Sequence, residues 1–216
     1  MKQTATDKII LASASPRRAE LLRRLGLQFT VRRSEVDESG VTAATPAEQA
    51  LLLARRKAEA VAAQEETGII IAADTIVHLQ GTILGKPAGY REAQSMLSLL
   101  SGRTHEVLTG VALIRQPEGY RAGHVETTRV TFRRLTEAEI GWYLESGEAF
   151  DKAGGYGIQG RAAVFVKKID GCYFNVVGLP LAALWTMLTQ AGGIKMVKGA
   201  GMNVNTAPDH QRPATE

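Results

Sequence analysis

The chain has 216 residues, 44% hydrophobic and 22% charged, which is enough to bury a sizeable core and excludes a disordered polymer. A single cysteine, Cys172, excludes an intramolecular disulfide framework and fits a reducing compartment. The net charge of +4 is modest with both signs interspersed, so no nucleic-acid polymer is expected as a partner, and no apolar run approaches the length of a membrane span. The first eight residues lead into only four apolar ones, too few for a signal peptide, and a cytoplasmic protein is expected.

In chain order, Ile9-Ile10-Leu11-Ala12 predicts a short buried strand. Ser13-Ala14-Ser15-Pro16 turns it into a helix, with Ser15 at the N-cap, Pro16 at the first helical position and Gly26 closing the element. Phe29-Thr30-Val31 predicts a second strand leading to Asp37 and Glu38. Thr45-Pro46-Ala47-Glu48 is a capping box, and its helix is expected to reach about Gln64. The run Ile69-Ile70-Ile71-Ala72-Ala73 predicts a strand buried on both faces and ending on Asp74. A hairpin follows, 75–79 and 82–84 around Gln80-Gly81, then a helix over 91–100 stopped by Gly102.

Two long strands are expected over 106–115 and 124–134, joined near Glu118-Gly119. Thr136-Glu137-Ala138-Glu139 is a second capping box with a helix to 146–147. A glycine-rich segment, 154–160, leads into a strand over 163–169. Asp170-Gly171 reads as a hairpin turn with 172–177 as its return strand, and Leu179-Pro180 opens a last apolar helix to about Gln190. Trp142 and Trp185 fall on apolar helix faces and read as core, and Cys172 reads as a buried structural residue. Alternating helices and strands, interrupted by two hairpins, predict an α/β fold with a mixed twisted sheet and flanking helices. Residues 1–193 form one expected domain, and 194–216 form a polar tail expected to be disordered.

Three stretches carry candidate chemistry. An apolar strand should not end on a carboxylate without a partner, because a buried unpaired charge is costly, so Asp74 calls for a metal, a cation or a solvated cleft. The alternative, a helix cap, conflicts with the extended pattern of the residues after it. The strand-to-helix turn Ser13-Ala14-Ser15-Pro16-Arg17-Arg18 suits a phosphate, through free N–H donors at a helix start and two guanidiniums, though an ordinary Ser-Pro helix start reads the same way. Asp37, Glu38, Lys57, Asp74 and Lys86 are scattered charges that acquire meaning only if the fold gathers them: carboxylates for a hard divalent cation, lysines for phosphate oxygens. Gly155-Tyr156-Gly157-Ile158-Gln159-Gly160 matches a dinucleotide fingerprint, but it follows a helix and precedes a strand, the reverse of the required context. Its glycines better suit a close backbone approach, and the Gln159 amide can read a base edge.

Together these segments resemble the Maf family of nucleoside triphosphate pyrophosphatases. The resemblance rests on the stretch from Leu11 to Leu22, on Val36-Asp37-Glu38, Ala54-Arg55-Arg56-Lys57-Ala58, Ala73-Asp74-Thr75-Ile76-Val77 and Gly85-Lys86-Pro87, on the stretch from Leu100 to His105, and on that from Asp151 to Gly160. They stand in family order; Ala14 replaces a common glycine, and the tail beyond Gly193 is not covered.

The resemblance implies a cytoplasmic enzyme that hydrolyses the α–β phosphoanhydride of a nucleoside triphosphate substrate, with a divalent metal, Mg2+ or Mn2+, and two lobes around a cleft related to inosine triphosphate pyrophosphatases. Carried over by position, Asp74 resembles the family's catalytic proton acceptor, and the metal is expected near Glu38 and Asp74. Ser13, Arg18, Glu38, Lys57 and Lys86 match its polar site. Arg17, Thr75 and Gln159 match the trio that marks the branch acting on dTTP and UTP. The family is also associated with inhibition of septum formation, so a non-catalytic nucleotide- or protein-binding regulator of cell division is the alternative, and a homodimer is compatible with either.

Overall fold

The structure is a computed structural model that describes residues 8–38 and 40–194. Its elements, in order, are β1 (Ile9–Ala12), α1 (Pro16–Arg24), β2 (Phe29–Arg32), α2 (Pro46–Ala62), β3 (Gly68–Leu79), β4 (Thr82–Leu84), α3 (Tyr90–Leu100), β5 (Thr104–Gln116), β6 (Tyr120–Phe132), α4 (Glu137–Leu144), β7 (Val166–Asp170), α5 (Tyr173–Val177) and α6 (Leu181–Gln190). One mixed seven-stranded sheet runs β2-β1-β3-β5-β6-β7, with β4 paired to β3. β1 is parallel to β2 and β3, and every other pairing is antiparallel.

Both capping boxes form, each threonine hydroxyl accepting from the N3 backbone N–H while the N3 glutamate accepts from the N-cap N–H. The expected Gln80-Gly81 turn forms with both residues at positive φ. Because side chains alternate across a strand, the first half of β3 covers two cores. Ile69, Ile71 and Ala73 face Leu21 and Leu22 of α1 and Leu184 and Leu188 of α6. Ile70 and Ala72 face Ala54, Ala58 and Val61 of α2. Farther along the same strand, Val77 and Leu79 join a third core with Leu97 of α3, Tyr143 of α4, Phe132 and Phe165. The sheet is therefore packed at two ends, and Asp74 and Thr75 lie at the waist between them.

Several expectations are corrected. β3 does not end on Asp74 but continues through it to Leu79. The second long strand begins earlier, at Tyr120. Residues 161–165 are a short 3-10 helix rather than strand, so β7 starts at Val166. The expected return strand after Gly171 is the helical turn α5. Its aromatic and β-branched residues favour a strand locally, but Asn175 lies within it and is fully buried. Coiling over the sheet lets the Asn175 amide donate to the Val107 carbonyl and the Thr128 hydroxyl, each at 2.9 Å. Cys172 is half-buried at the cap of that turn, not in a core. Trp185 is half-buried against the first core, but Trp142 is exposed. α4 turns Ile140, Tyr143 and Leu144 inward, which leaves Trp142 outside under the Arg161 guanidinium, 5.6 Å from the ring centre. Of the tail expected to be disordered, Ile194 is instead buried against the first core, and 195–216 lie outside the described residues.

Candidate functional site

A gap in the sheet makes the site. On one side β3 pairs with β1 only as far as Ile71, and with β4 only from Val77. Residues 72–76 have no strand on that side, while β5 pairs them along the other, Gly110 lying opposite Asp74. β1 leaves the sheet there and turns at Ser13 into α1. The opening is a cleft of about 560 Å3 at the waist between the two packed ends.

Asp74 points to the α2 face and is almost buried. On α2 the inward stripe runs Ala50, Leu53, Ala54, Lys57, Ala58 and Val61, so helical spacing places one lysine on an otherwise apolar face. The Lys57 ammonium lies 2.6 Å from Asp74 Oδ1 and 2.7 Å from Glu38 Oε1. A cation thus bridges the two carboxylates. The Asp74 side chain keeps 12% exposure, and its second oxygen makes no bond within the described protein, which leaves it open to water in the cleft.

Thr75, the next residue, points to the opposite face and meets Arg18 of α1. That guanidinium donates from Nη2 to Thr75 Oγ1 at 3.1 Å, from Nη1 to Ser13 Oγ at 3.2 Å and from Nε to the Gly178 carbonyl at 2.9 Å. Burial lowers the Arg18 pKa, and Asp74 works against that shift. Ser13 Oγ also accepts from the Ser15 N–H at 3.2 Å. Ser15 stands at the N-cap as expected, but its hydroxyl caps nothing. The first turn of α1 therefore offers its backbone donors to the cleft, where an anion is favoured.

The rim is more exposed. Arg17 pairs with Asp151 at 3.0 Å across the mouth. Lys86 and Gln159 are exposed on the lining, and neither bonds to another described residue. Ser13, Arg17, Arg18, Glu38, Lys57, Asp74, Thr75, Lys86 and Gln159 all line this one cleft, whereas Asp37, singled out with Glu38, is not among its lining residues. They come from α1, α2, β3 and four connecting segments.

Glu38 and Asp74 suit a hard divalent cation, being two carboxylates that already converge on one positive charge beside an open cleft. Among the described residues no cluster of three or more His, Cys, Asp or Glu stands ready as a metal site. A magnesium or manganese ion would complete its shell with water and phosphate oxygens. Residue-by-residue reading missed Thr109, Asn175 and Asp151. The first two carry a signal that Lys57 shares: a lone polar residue inside an apolar run becomes a buried polar group whose partner must come from elsewhere in the fold.

A family model described as Maf-like protein matches residues 8–191. A dTTP/UTP pyrophosphatase of Carboxydothermus hydrogenoformans is 54% identical over 86% of this chain and 99% of that one. A dTTP/UTP pyrophosphatase of Symbiobacterium thermophilum is 54% identical over 90% of this chain and 100% of that one. Among solved structures, a HAM1 protein from Coxiella burnetii aligns over 86% of this chain and all of its own length with TM-score 0.47 and 18% identity, a likeness too loose to argue from.

Proposed function

The chain belongs to the Maf-like protein family, and on that premise we propose that it is a cytoplasmic pyrophosphatase converting dTTP and UTP to the monophosphate and pyrophosphate. The observation that carries the reading is the pairing, in one cleft, of a shielded carboxylate with a phosphate-ready helix start: Asp74 held by Lys57, beside α1 with Arg17 and Arg18. The 54% identity to two dTTP/UTP pyrophosphatases over nearly their full length supports the substrate class.

In this mechanism the triphosphate lies against the first turn of α1, where backbone N–H groups and the positive end of the helix favour its charge. Lys86 and Arg17 take up charge at the rim. The free oxygen of Asp74 accepts a proton from a water in the cleft, and the water oxygen bonds to the α-phosphorus. The bond from that phosphorus to the α–β bridging oxygen breaks, and pyrophosphate leaves with the electron pair. Lys57 keeps Asp74 aimed and compensates its charge, because a carboxylate this buried needs a partner. Glu38 and Asp74 would hold magnesium or manganese, and its chemistry there would be Lewis-acid polarisation of the phosphoryl group. Gln159, exposed on the lining, presents an amide oxygen and an amide N–H, a pair that complements the N3–H and O4 edge shared by uracil and thymine.

The test is a panel of dTTP, UTP, CTP and 7-methyl-GTP with magnesium or manganese, with both pyrophosphate and orthophosphate measured. The expected result is pyrophosphate from dTTP and UTP in preference to the other two, without orthophosphate. No pyrophosphate from any of them contradicts the proposal and leaves a non-catalytic regulator as the reading. Orthophosphate in its place contradicts the site of cleavage.

A further inference from the structure

Behind the cleft the polar contacts of Arg18 close into a ring. Thr75 Oγ1 and Thr109 Oγ1 are 3.0 Å apart. Thr109 Oγ1 donates to the Asn175 carbonyl at 3.1 Å. The same carbonyl accepts from the Gly178 N–H at 2.9 Å, and the Gly178 carbonyl accepts from Arg18 Nε. Arg18 Nη2 returns to Thr75. The ring thus joins α1, β3, β5 and the turn after α5. It is anchored below by the Asn175 side chain, and Thr109 and Asn175 are both fully buried.

The direction of these bonds is forced. A hydroxyl carries one proton, and Thr109 gives its own to the Asn175 carbonyl, so Thr75 must donate to Thr109. Arg18 can only donate, so Thr75 accepts from it. The Thr75 proton is therefore committed to the interior, and toward the cleft Thr75 can only accept. An ionised phosphate oxygen, itself an acceptor, cannot bond to it. The ring takes two Arg18 donors and Ser13 a third, which leaves the remaining N–H groups for a ligand.

We propose that Thr109 is a positioning residue: by fixing the proton of Thr75 it holds the Arg18 guanidinium in the one setting that serves a triphosphate. Thr75 then contributes to triphosphate binding through Arg18 rather than by touching phosphate. The idea rests on the nucleotide reading above but concerns ligand binding, so it is tested without turnover.

Binding of the non-hydrolysable analogue α,β-imido-UTP is measured by calorimetry on the intact wild-type chain and on Thr109→Val and Thr109→Ser, with thermal unfolding of all three. Valine keeps the shape and removes the proton donor; serine keeps the donor. Thr109→Val is expected to weaken binding about tenfold, the scale of one lost buried hydrogen bond, and Thr109→Ser to restore it. Analogue binding by Thr109→Val equal to wild type, even with a lower melting temperature, overturns the proposal, because a purely structural residue changes the folded fraction and not the affinity. Equal weakening in Thr109→Ser overturns it too, as does a wild-type chain that binds no analogue. A wild type that binds but releases no pyrophosphate from UTP contradicts the proposed function, while the comparison of variants still decides the role of Thr109.

Discussion

At the scale of single residues, the site depends on charges taken out of water only where another charge meets them. Lys57 and Asp74 are both nearly buried, and breaking such a pair costs about 3–5 kcal/mol because the partner is left uncompensated. Glu38, more exposed, adds a second carboxylate to the same ammonium. His105 is the contrasting case. It is buried beside the third core with its Nε2 2.7 Å from the Tyr156 hydroxyl, and among the described residues Nδ1 has no partner and no carboxylate is paired with it. Burial holds its pKa down from 6.5 to about 4. The unfolded chain therefore takes up the proton first. The stability of the folded state is unaffected by this group above pH 6.5 and falls as pH drops from there toward 4, by up to about 3 kcal/mol. Urea unfolding measured across that range is expected to show the slope, and His105→Gln to flatten it. An unchanged slope in the variant contradicts the assignment.

Elements carry these residues to one place, and the tightest constraint is at Gly110. A Cβ there would lie 2.4 Å from the Ala50 backbone of α2, so α2 sits directly on β5 at the position opposite Asp74. Lys57 rides on that helix. Gly110→Ala must push α2 away from the sheet, with an overpacking cost of about 1–3 kcal/mol. It is expected to lower both the denaturation midpoint and the rate of pyrophosphate release from UTP, though it removes no polar group. A variant with full activity and stability contradicts the close contact.

The elements themselves were largely legible in the sequence. Two capping boxes, the Gln80-Gly81 turn and the Ile69–Ala73 run were written in local pattern, and local pattern is what the chain obeys there. It failed at 172–177, where the burial of one residue, Asn175, outweighed strand propensity along the whole turn. It failed also at Trp142, because a helix of eight residues has room to bury only one face. The charged site residues could be picked out from chemistry and family resemblance. Their convergence could not, since it depends on where β1 leaves the sheet, which is settled by pairing between segments about 60 residues apart, whereas β4 joins through a local hairpin.

For the whole molecule, β3, β5 and β6 run through both packed ends, and the cleft is the interruption left on one flank of β3. Among the described residues no helix is long and apolar enough to cross a membrane. The fold brings a helix start to one side of that gap and a lysine-held carboxylate, Asp74, to its centre. Asp74→Asn keeps the shape of the side chain and removes the base. The direct measurement is pyrophosphate release from UTP by the wild-type chain and by this variant, with circular dichroism showing that both are folded. The expected result is release by the wild type and a loss of about 100-fold or more in the folded variant. A folded Asp74→Asn protein that releases pyrophosphate at the wild-type rate would contradict it.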